Sequence, residues 1–134
     1  IGYTISNKKI IGYMLSIKPI YEINAFNMKL VRLLIKNIKI MKNYVKEVHK
    51  GRIMLKNFLN SQNIEMIGKY SNTVLFKLEN KQKVDHVIKY LFKKKFIVRP
   101  MTIDNDDRYI RATLGSSKIM RQFIKKLQTA LLAY

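Results

Sequence analysis

The sequence predicts an α+β two-layer sandwich, in which a small, mostly antiparallel sheet carries helices on one face and follows a long helix. Apolar residues recur at helical spacing through the first half of the chain, over residues 81–94 and again from Met120 onwards. Short runs rich in β-branched and aromatic residues lie between the later helices. The predicted order is helices, β, β, α, β, β, α, which suits helices packed on one face of a sheet. We find no repeat and no linker, and expect a single domain over residues 1–134.

The chain is predicted to begin with the end of a strand, at residues 1–5, followed by a short helix. Ser6 or Asn7 can cap this helix by accepting a hydrogen bond from its first turn. Pro19 ends the helical pattern, because the residue before a proline avoids helical backbone angles. Residues 20–24 show no period, and we expect an extended connector there.

A long helical region is predicted next, since apolar residues form a stripe with lysines opposite. Asn37 is expected to interrupt or bend this region, and the polar residues 60–63 are expected to end it. Gly51 lies inside the helix, where a glycine costs about 1 kcal/mol relative to alanine. Its position there is explained if it allows close packing.

A first pair of strands is predicted at residues 64–67 and 73–78, with 68–72 as the connection or a bulge. The helix over residues 81–94 follows, and its apolar residues fall on one face at helical spacing.

A second pair of strands is predicted around an acidic loop. Residues 96–98 are expected to form a short buried strand that Pro100 ends, because proline has no N–H to donate. Residues 104–107 are turn formers without apolar partners, so a surface loop is expected. Residues 109–114 then form a strand, and the small residues at 115–116 lead into the last helix.

The composition is strongly basic, with 27 Lys+Arg against 8 Asp+Glu and a formal net charge of +19. Such a charge is typical of nucleic-acid binding. However, the chain is rich in lysine (21), isoleucine (19) and asparagine (11), as an AT-rich genome would encode, and its lysines are scattered. We therefore interpret the charge as codon bias and expect no nucleic-acid partner. The absence of cysteine fits a reducing, cytoplasmic compartment, and no apolar run approaches a membrane span.

Few residues in the sequence are candidates for a catalytic or binding site. Neither His49 nor His86 has a partner at metal-ligand spacing, and the acidic loop lacks the glycine and the closing glutamate of a calcium site. There is no glycine-rich phosphate loop and no serine nucleophile motif. Arg99 and Arg111 remain, near the ends of predicted strands, and a guanidinium fork can hold a carboxylate or phosphate. By spacing alone, each arginine is as well explained as a surface strand residue.

An ordered set of residues carries a resemblance over essentially all 134 positions. The set comprises Ile-Gly-Tyr at 1–3, Pro19 with Asn24, Gly51-Arg52, Asn72, Ile97-Val98-Arg99 and the segment Ile110-Arg111-Ala112-Thr113-Leu114-Gly115. Together it resembles the C-terminal small domain of a fold-type I, pyridoxal-phosphate-dependent aminotransferase, most closely of the histidinol-phosphate aminotransferase-like subgroup. The last segment is the most telling.

The resemblance implies a substrate-capping domain in an enzyme that transfers an amino group between an amino acid, or a related phosphate, and a 2-oxo acid. Arg111 matches the arginine that binds the substrate α-carboxylate, and Arg99 would lie near the distal group. Asn72 and Tyr3 are expected in supporting roles, and no catalytic residue is predicted. Pyridoxal phosphate would belong to a large domain that this chain lacks, and the full-length enzyme would be a cytoplasmic homodimer.

Departures from the family pattern limit what the chain is expected to do alone. The family's phosphate-binding arginine and Schiff-base lysine precede the Ile-Gly-Tyr motif, and none of the 21 lysines stands in the expected serine-and-glycine context. Lys69 also stands where the family often has serine. We expect part of a longer enzyme that neither binds the cofactor nor transaminates by itself. The alternatives are the small domain of a pyridoxal-phosphate-dependent amino acid phosphate decarboxylase and a basic nucleic-acid-binding module.

Overall fold

The structure, a computed structural model, describes residues 3–19 and 23–134. The chain forms two compact units, Ile1–Lys42 and Asn43–Tyr134. Among the helices of the described residues, none combines the length and the apolar character needed to cross a bilayer.

Two amphipathic helices belong to the first unit, α1 (Lys8–Ser16) and α2 (Ala25–Lys36). Each begins at an asparagine cap: Asn7 Oδ1 accepts a hydrogen bond from the Ile10 amide at 3.0 Å, and Asn24 Oδ1 accepts one from the Asn27 amide at 2.8 Å. The predicted cap at Asn7 is thereby confirmed. Neither helix contains a buried residue.

The predicted strand end at residues 1–5 is not supported where it can be checked, because residues 3–5 form no strand. Residues 1 and 2 of that prediction, and residues 20–22 of the predicted connector, lie outside the described residues.

Helix α3 (Ile38–Ser61) is separated from α2 by Asn37 alone, as predicted. The Asn37 side chain donates to the Leu33 carbonyl at 2.9 Å, in addition to its backbone amide, which donates to the same carbonyl at 3.1 Å. At the other end of α3, Asn63 adopts a left-handed conformation with φ of 55°. This lets the Ile64 amide donate back to the Leu59 carbonyl at 2.9 Å, which closes the helix.

The second unit contains one antiparallel sheet and two further helices. In chain order these are β1 (Met66–Ile67), β2 (Thr73–Lys77), α4 (Lys81–Lys93), β3 (Arg99–Ile103), β4 (Asp106–Thr113) and α5 (Ser117–Leu132). The strand order in the sheet is β1-β2-β4-β3, so β4 is an interior strand and β3 an edge strand. The element order and the α+β class are those predicted from the sequence.

Helices cover one face of the sheet. Alternate residues of β2 and β4 are fully or almost fully buried, namely Val74, Phe76, Ile110 and Ala112. They join one core cluster with residues from α3, α4 and α5, including Leu55, Leu59, Val84, Val87, Leu91, Met120, Phe123 and Leu127. The residues between them on the strands point to the opposite face, which we call the open face.

Gly51 allows α3 to pass close to the start of α5. A Cβ at this position would lie 2.6 Å from the Gly115 carbonyl oxygen and 2.7 Å from Met120 Cγ, closer than real side chains approach. The expectation that Gly51 permits close packing is therefore confirmed. One turn earlier on α3, Glu47 accepts a hydrogen bond from the Ser117 hydroxyl at 2.7 Å. Hydrogen bonds from Lys50 and then Ser117 lower the pKa of Glu47.

The strand predicted at residues 96–98 is wrong. The strand β3 begins at Arg99 and includes Pro100, which lies opposite Ile110 in the register. Proline is compatible with this strand because β3 is at the edge of the sheet, where an N–H directed away from the sheet has no partner to lose. Pro100, which was predicted to end a strand, is instead the second residue of β3.

The acidic loop predicted at residues 104–107 is half as long as expected. Asp104 and Asn105 alone form the turn, with φ of 49° and 64°, the left-handed pair that a tight hairpin needs. Asp106 belongs to β4, where it binds the Arg108 guanidinium through both carboxylate oxygens at 2.8 Å and the Lys77 ammonium at 2.7 Å. These ion pairs explain how so polar a segment joins a sheet.

Candidate anion-binding site

Two arginines face each other on the hairpin of β3 and β4. Arg99, the first residue of β3, is directly opposite Arg111 of β4 in the register, and both side chains are exposed. Side chains that are directly opposite in an antiparallel pair lie on the same face, about 5 Å apart at Cβ. The structure therefore brings the two sequence-predicted arginines together on the open face.

Neither guanidinium has a protein partner: within residues 3–19 and 23–134, Arg99 and Arg111 form no side-chain hydrogen bond and no ion pair. The other cross-strand neighbour of Arg111 is Leu75 of β2, so no carboxylate stands beside it in the register. Like charges directly opposite each other on a sheet destabilise it. An anion between the two forks would remove this repulsion and accept charge-assisted hydrogen bonds.

The nearby cations of the same sheet differ from Arg99 and Arg111, because they have an acidic partner. Lys77 and Arg108 both bind Asp106, and the Lys77 ammonium also lies 5.4 Å from the centroid of the Tyr109 ring. The Arg108 guanidinium, followed by Lys77, holds the pKa of Asp106 well below its usual range. In return, Asp106 raises the pKa of Lys77 and of Arg108. Asp106 therefore engages both Lys77 and Arg108, whereas Arg99 and Arg111 are the cations of the hairpin that have no acidic partner among the described residues.

A loop at residues 68–72 borders the same end of the sheet. The Leu114 amide donates to the Asn72 carbonyl at 2.8 Å, and Thr73 lies opposite Thr113, two residues beyond Arg111. The exposed side chain of Asn72 makes no hydrogen bond to the described residues, so its supporting role stays a prediction.

Arg52 of α3 fixes this loop, a role that the sequence analysis missed. Its guanidinium donates to the carbonyl oxygens of Gly68 and Ser71. Gly68 has φ of 111°, a conformation that other residues rarely adopt. The sequence offered two hints of this contact, an arginine inside a helix at Arg52 and a glycine before the strand at Gly68. Only the fold shows that the two residues meet.

Tyr3, the other predicted supporting residue, belongs to the first unit and is 89% exposed. Its role beside the arginines stays a prediction.

The arrangement can bind and orient an anion on a rigid surface. β4 is hydrogen-bonded on both sides, so the backbone of Arg111 is held by β2 and β3. The pair provides no proton acceptor, because a guanidinium has N–H donors only. Its chemistry is therefore recognition and positioning.

No known family profile matches the chain, but individual proteins are similar to it. The histidinol-phosphate aminotransferase of Methanocaldococcus jannaschii is 28% identical over 131 residues, which are 96% of this chain and 35% of that protein. The chain thus spans about a third of the length of the curated relatives that it matches.

Solved structures share the fold. The histidinol-phosphate aminotransferase of Clostridium acetobutylicum matches 96% of this chain and 39% of its own, with a TM-score of 0.74 and 22% identity. A decarboxylase from Sulfurospirillum multivorans matches 93% of this chain and 33% of its own, with a TM-score of 0.71 and 21% identity. The resemblance seen in the sequence is confirmed: the chain matches a C-terminal part of a pyridoxal-phosphate-dependent aminotransferase-like protein.

Proposed function

We propose that this chain caps the substrate site of a pyridoxal-phosphate-dependent aminotransferase that moves an amino group between an amino acid, or a related phosphate, and a 2-oxo acid. The observation that carries the proposal is the cross-strand pair of Arg99 and Arg111, which has no acidic partner among the described residues. The fold supports it, because the sheet and its helices match aminotransferases. The similarity to histidinol-phosphate aminotransferases supports a phosphate-bearing substrate.

The two arginines have different roles in this proposal. Arg111 binds the substrate carboxylate, since an interior strand holds its backbone on both sides and a fixed fork fixes the direction of the carboxylate. Arg99 binds the distal group, such as a phosphate, as the resemblance implies, since it lies directly opposite Arg111 on the edge strand. Both contributions are orientation, which keeps the substrate α-carbon in place.

The arginine pair fits the substrate better than the cofactor. Pyridoxal phosphate, when bound, supplies an electron sink, and its pyridine nitrogen takes a carboxylate partner. The register neighbours of the arginines are each other and Leu75, so the sheet places no carboxylate for that nitrogen directly beside this pair. We therefore assign the cofactor to the large domain of the full-length enzyme and derive no step through it.

A large domain as partner is supported by the surface of the first unit. Helices α1 and α2 bury no residue, and α2 exposes Leu33, Leu34 and Ile35 to more than half. Exposed apolar surface of this extent marks a contact with another protein surface. A homodimeric full-length enzyme, a cytoplasmic location and a single domain over residues 1–134 belong to the same proposal.

The proposal can be tested by locating a bound anion. Histidinol phosphate is titrated into the ¹⁵N-labelled chain while the arginine Nε–H signals are followed by NMR. We expect saturable shifts at Arg99 and Arg111 and none at Arg121, an exposed arginine of α5. Shifts that are equal at all six arginines would mean unspecific attraction to a chain of charge +19 and would contradict the proposal.

Decarboxylation of an amino acid phosphate is a second candidate. The observation in its favour is the fold shared with a decarboxylase. The same arginine pair would serve either reaction, since both require an oriented substrate. An assay of the enzyme that contains this chain separates them: release of carbon dioxide supports the decarboxylase, and formation of a 2-oxo acid supports the transaminase.

A further inference from the structure

A cavity lies in the compact unit that carries the sheet, away from the arginine pair. It has a volume of about 640 Å³ and opens between α3 and the segment from Met66 to Asn72. Arg52 ties its two walls together through the carbonyls of Gly68 and Ser71. Neither arginine of the anion-binding pair lines it. Its volume lies in the range of small-molecule sites.

The walls of this cavity are largely apolar. Val48 and Ile53 of α3 face it from one side and Met66 from the other, and each is partly exposed. The rings of Tyr44 and Tyr70 also line it. Such walls suit a flat or aliphatic body, whose transfer from water is favourable in proportion to the apolar area covered.

The charged residues that line the cavity are all basic. Arg52, Lys56 and Lys69 line it, and no aspartate or glutamate does. Within the described residues, none of the three forms an ion pair, although the Lys69 ammonium lies 5.4 Å from the centroid of the Tyr70 ring. A cleft with apolar walls whose charges are all positive focuses the electric field and attracts anions.

We propose that this cavity binds a small organic anion with an aromatic or other apolar body, such as an aromatic carboxylate. The apolar walls hold the body, and the lysines attract the carboxylate. The cavity shares no cation with the arginine pair on the open face, although Asn72, a predicted supporting residue of the substrate site, lines it.

The test compares an anion with its neutral counterpart. Indole-3-acetate and indole-3-acetamide are titrated separately into the ¹⁵N-labelled chain, and backbone amide shifts are followed by NMR. We expect saturable shifts at residues 44–56 and 66–72, with an affinity about fivefold higher for the carboxylate. The overturning results are equal affinities, shifts centred on Arg99 and Arg111 or on residues 3–36, and no saturable shift up to the solubility limit.

A double substitution tests the charges directly. Lys56→Ala with Lys69→Ala removes two exposed lysines, so the fold is not at risk. We expect about a fivefold loss of affinity for indole-3-acetate and no change for the amide. Lys89→Ala with Lys125→Ala removes two exposed lysines of α4 and α5 and is the matched control, which should leave both affinities unchanged. A similar loss in both double variants would reveal a general charge effect and overturn the site.

Discussion

The two faces of the sheet are built from neighbouring residues of the same strands but hold opposite kinds of side chain. On the helix-covered face, Phe76 and Ile110 are completely buried. On the open face, the next residues in the register are Leu75 and Arg111, which are half-buried and exposed. The covered face supplies the apolar burial that stabilises the fold, while the like charges of Arg99 and Arg111 on the open face oppose it. The proposed binding role of the open face rests on this difference.

The largest expected effect is on the covered face. Phe76→Ala should lower the free energy of unfolding by about 3–5 kcal/mol, because it leaves a cavity in the core. Leu75→Ala, one position away on the open face, is the matched control and should cost clearly less. Urea unfolding of both variants makes the measurement. Similar losses would show that the two faces do not differ as described.

Gly51→Ala tests how closely the covering helices pack. The added methyl would lie 2.6 Å from the Gly115 carbonyl oxygen, so we expect a loss of about 1–3 kcal/mol in unfolding free energy. Gly12→Ala is the control, since no described atom lies within 4 Å of its Cβ position, and there the better helix former should be neutral or stabilising. Thermal unfolding compares the two, and an unchanged Gly51→Ala variant would contradict the close contact.

Lys95→Gly should stabilise the chain. Lys95 follows α4 with φ of 65°, a conformation unfavourable for lysine, and the Phe96 amide donates back to the Leu91 carbonyl at 2.9 Å. Glycine fits this position better by about 1 kcal/mol. Lys94→Gly, at φ of −92°, should not stabilise. Urea unfolding decides, and a destabilised Lys95→Gly variant would exclude the left-handed cap.

The smallest effect concerns Asp106. Since its pKa is lowered in the fold, the stability that it contributes is present above the ordinary carboxyl pKa and is lost as the pH falls towards the lowered value. We expect the melting temperature of the native chain to fall more steeply on acidification below about pH 4 than that of Asp106→Asn. Parallel curves would show that the ion pairs with Lys77 and Arg108 are not formed.

Local signals in the sequence predict most of the elements. The periodic helix at 81–94 is observed at Lys81–Lys93, and Asn37 separates two helices as expected. The errors arise where tertiary structure determines the ends of a strand. Pro100 ends a strand only if that strand is interior, and its edge position follows from the strand order. Asp106 joins β4 because of Lys77, which is distant in sequence.

The candidate site was predictable only in part. Arg99 and Arg111 could be named from the sequence, but their pairing depends on the hairpin register, and that depends on the two-residue turn at Asp104 and Asn105. The sequence predicted a loop of four residues at 104–107, and a loop of that length does not give the register that places Arg99 opposite Arg111. The contact of Arg52 with the loop at 68–72 depends on how α3 packs, which no local pattern records.

The most direct test of the account is the affinity of the chain for inorganic phosphate, measured by calorimetry for the native chain, Arg111→Gln and Arg121→Gln. Removing one charge-assisted fork should weaken binding about tenfold in Arg111→Gln, with unfolding free energy unchanged or slightly raised because a repulsion is relieved. Arg121→Gln, on exposed α5 surface, should bind phosphate as the native chain does. Equal affinities in all three proteins, or a clear loss of stability in Arg111→Gln, would contradict a binding role for the open face.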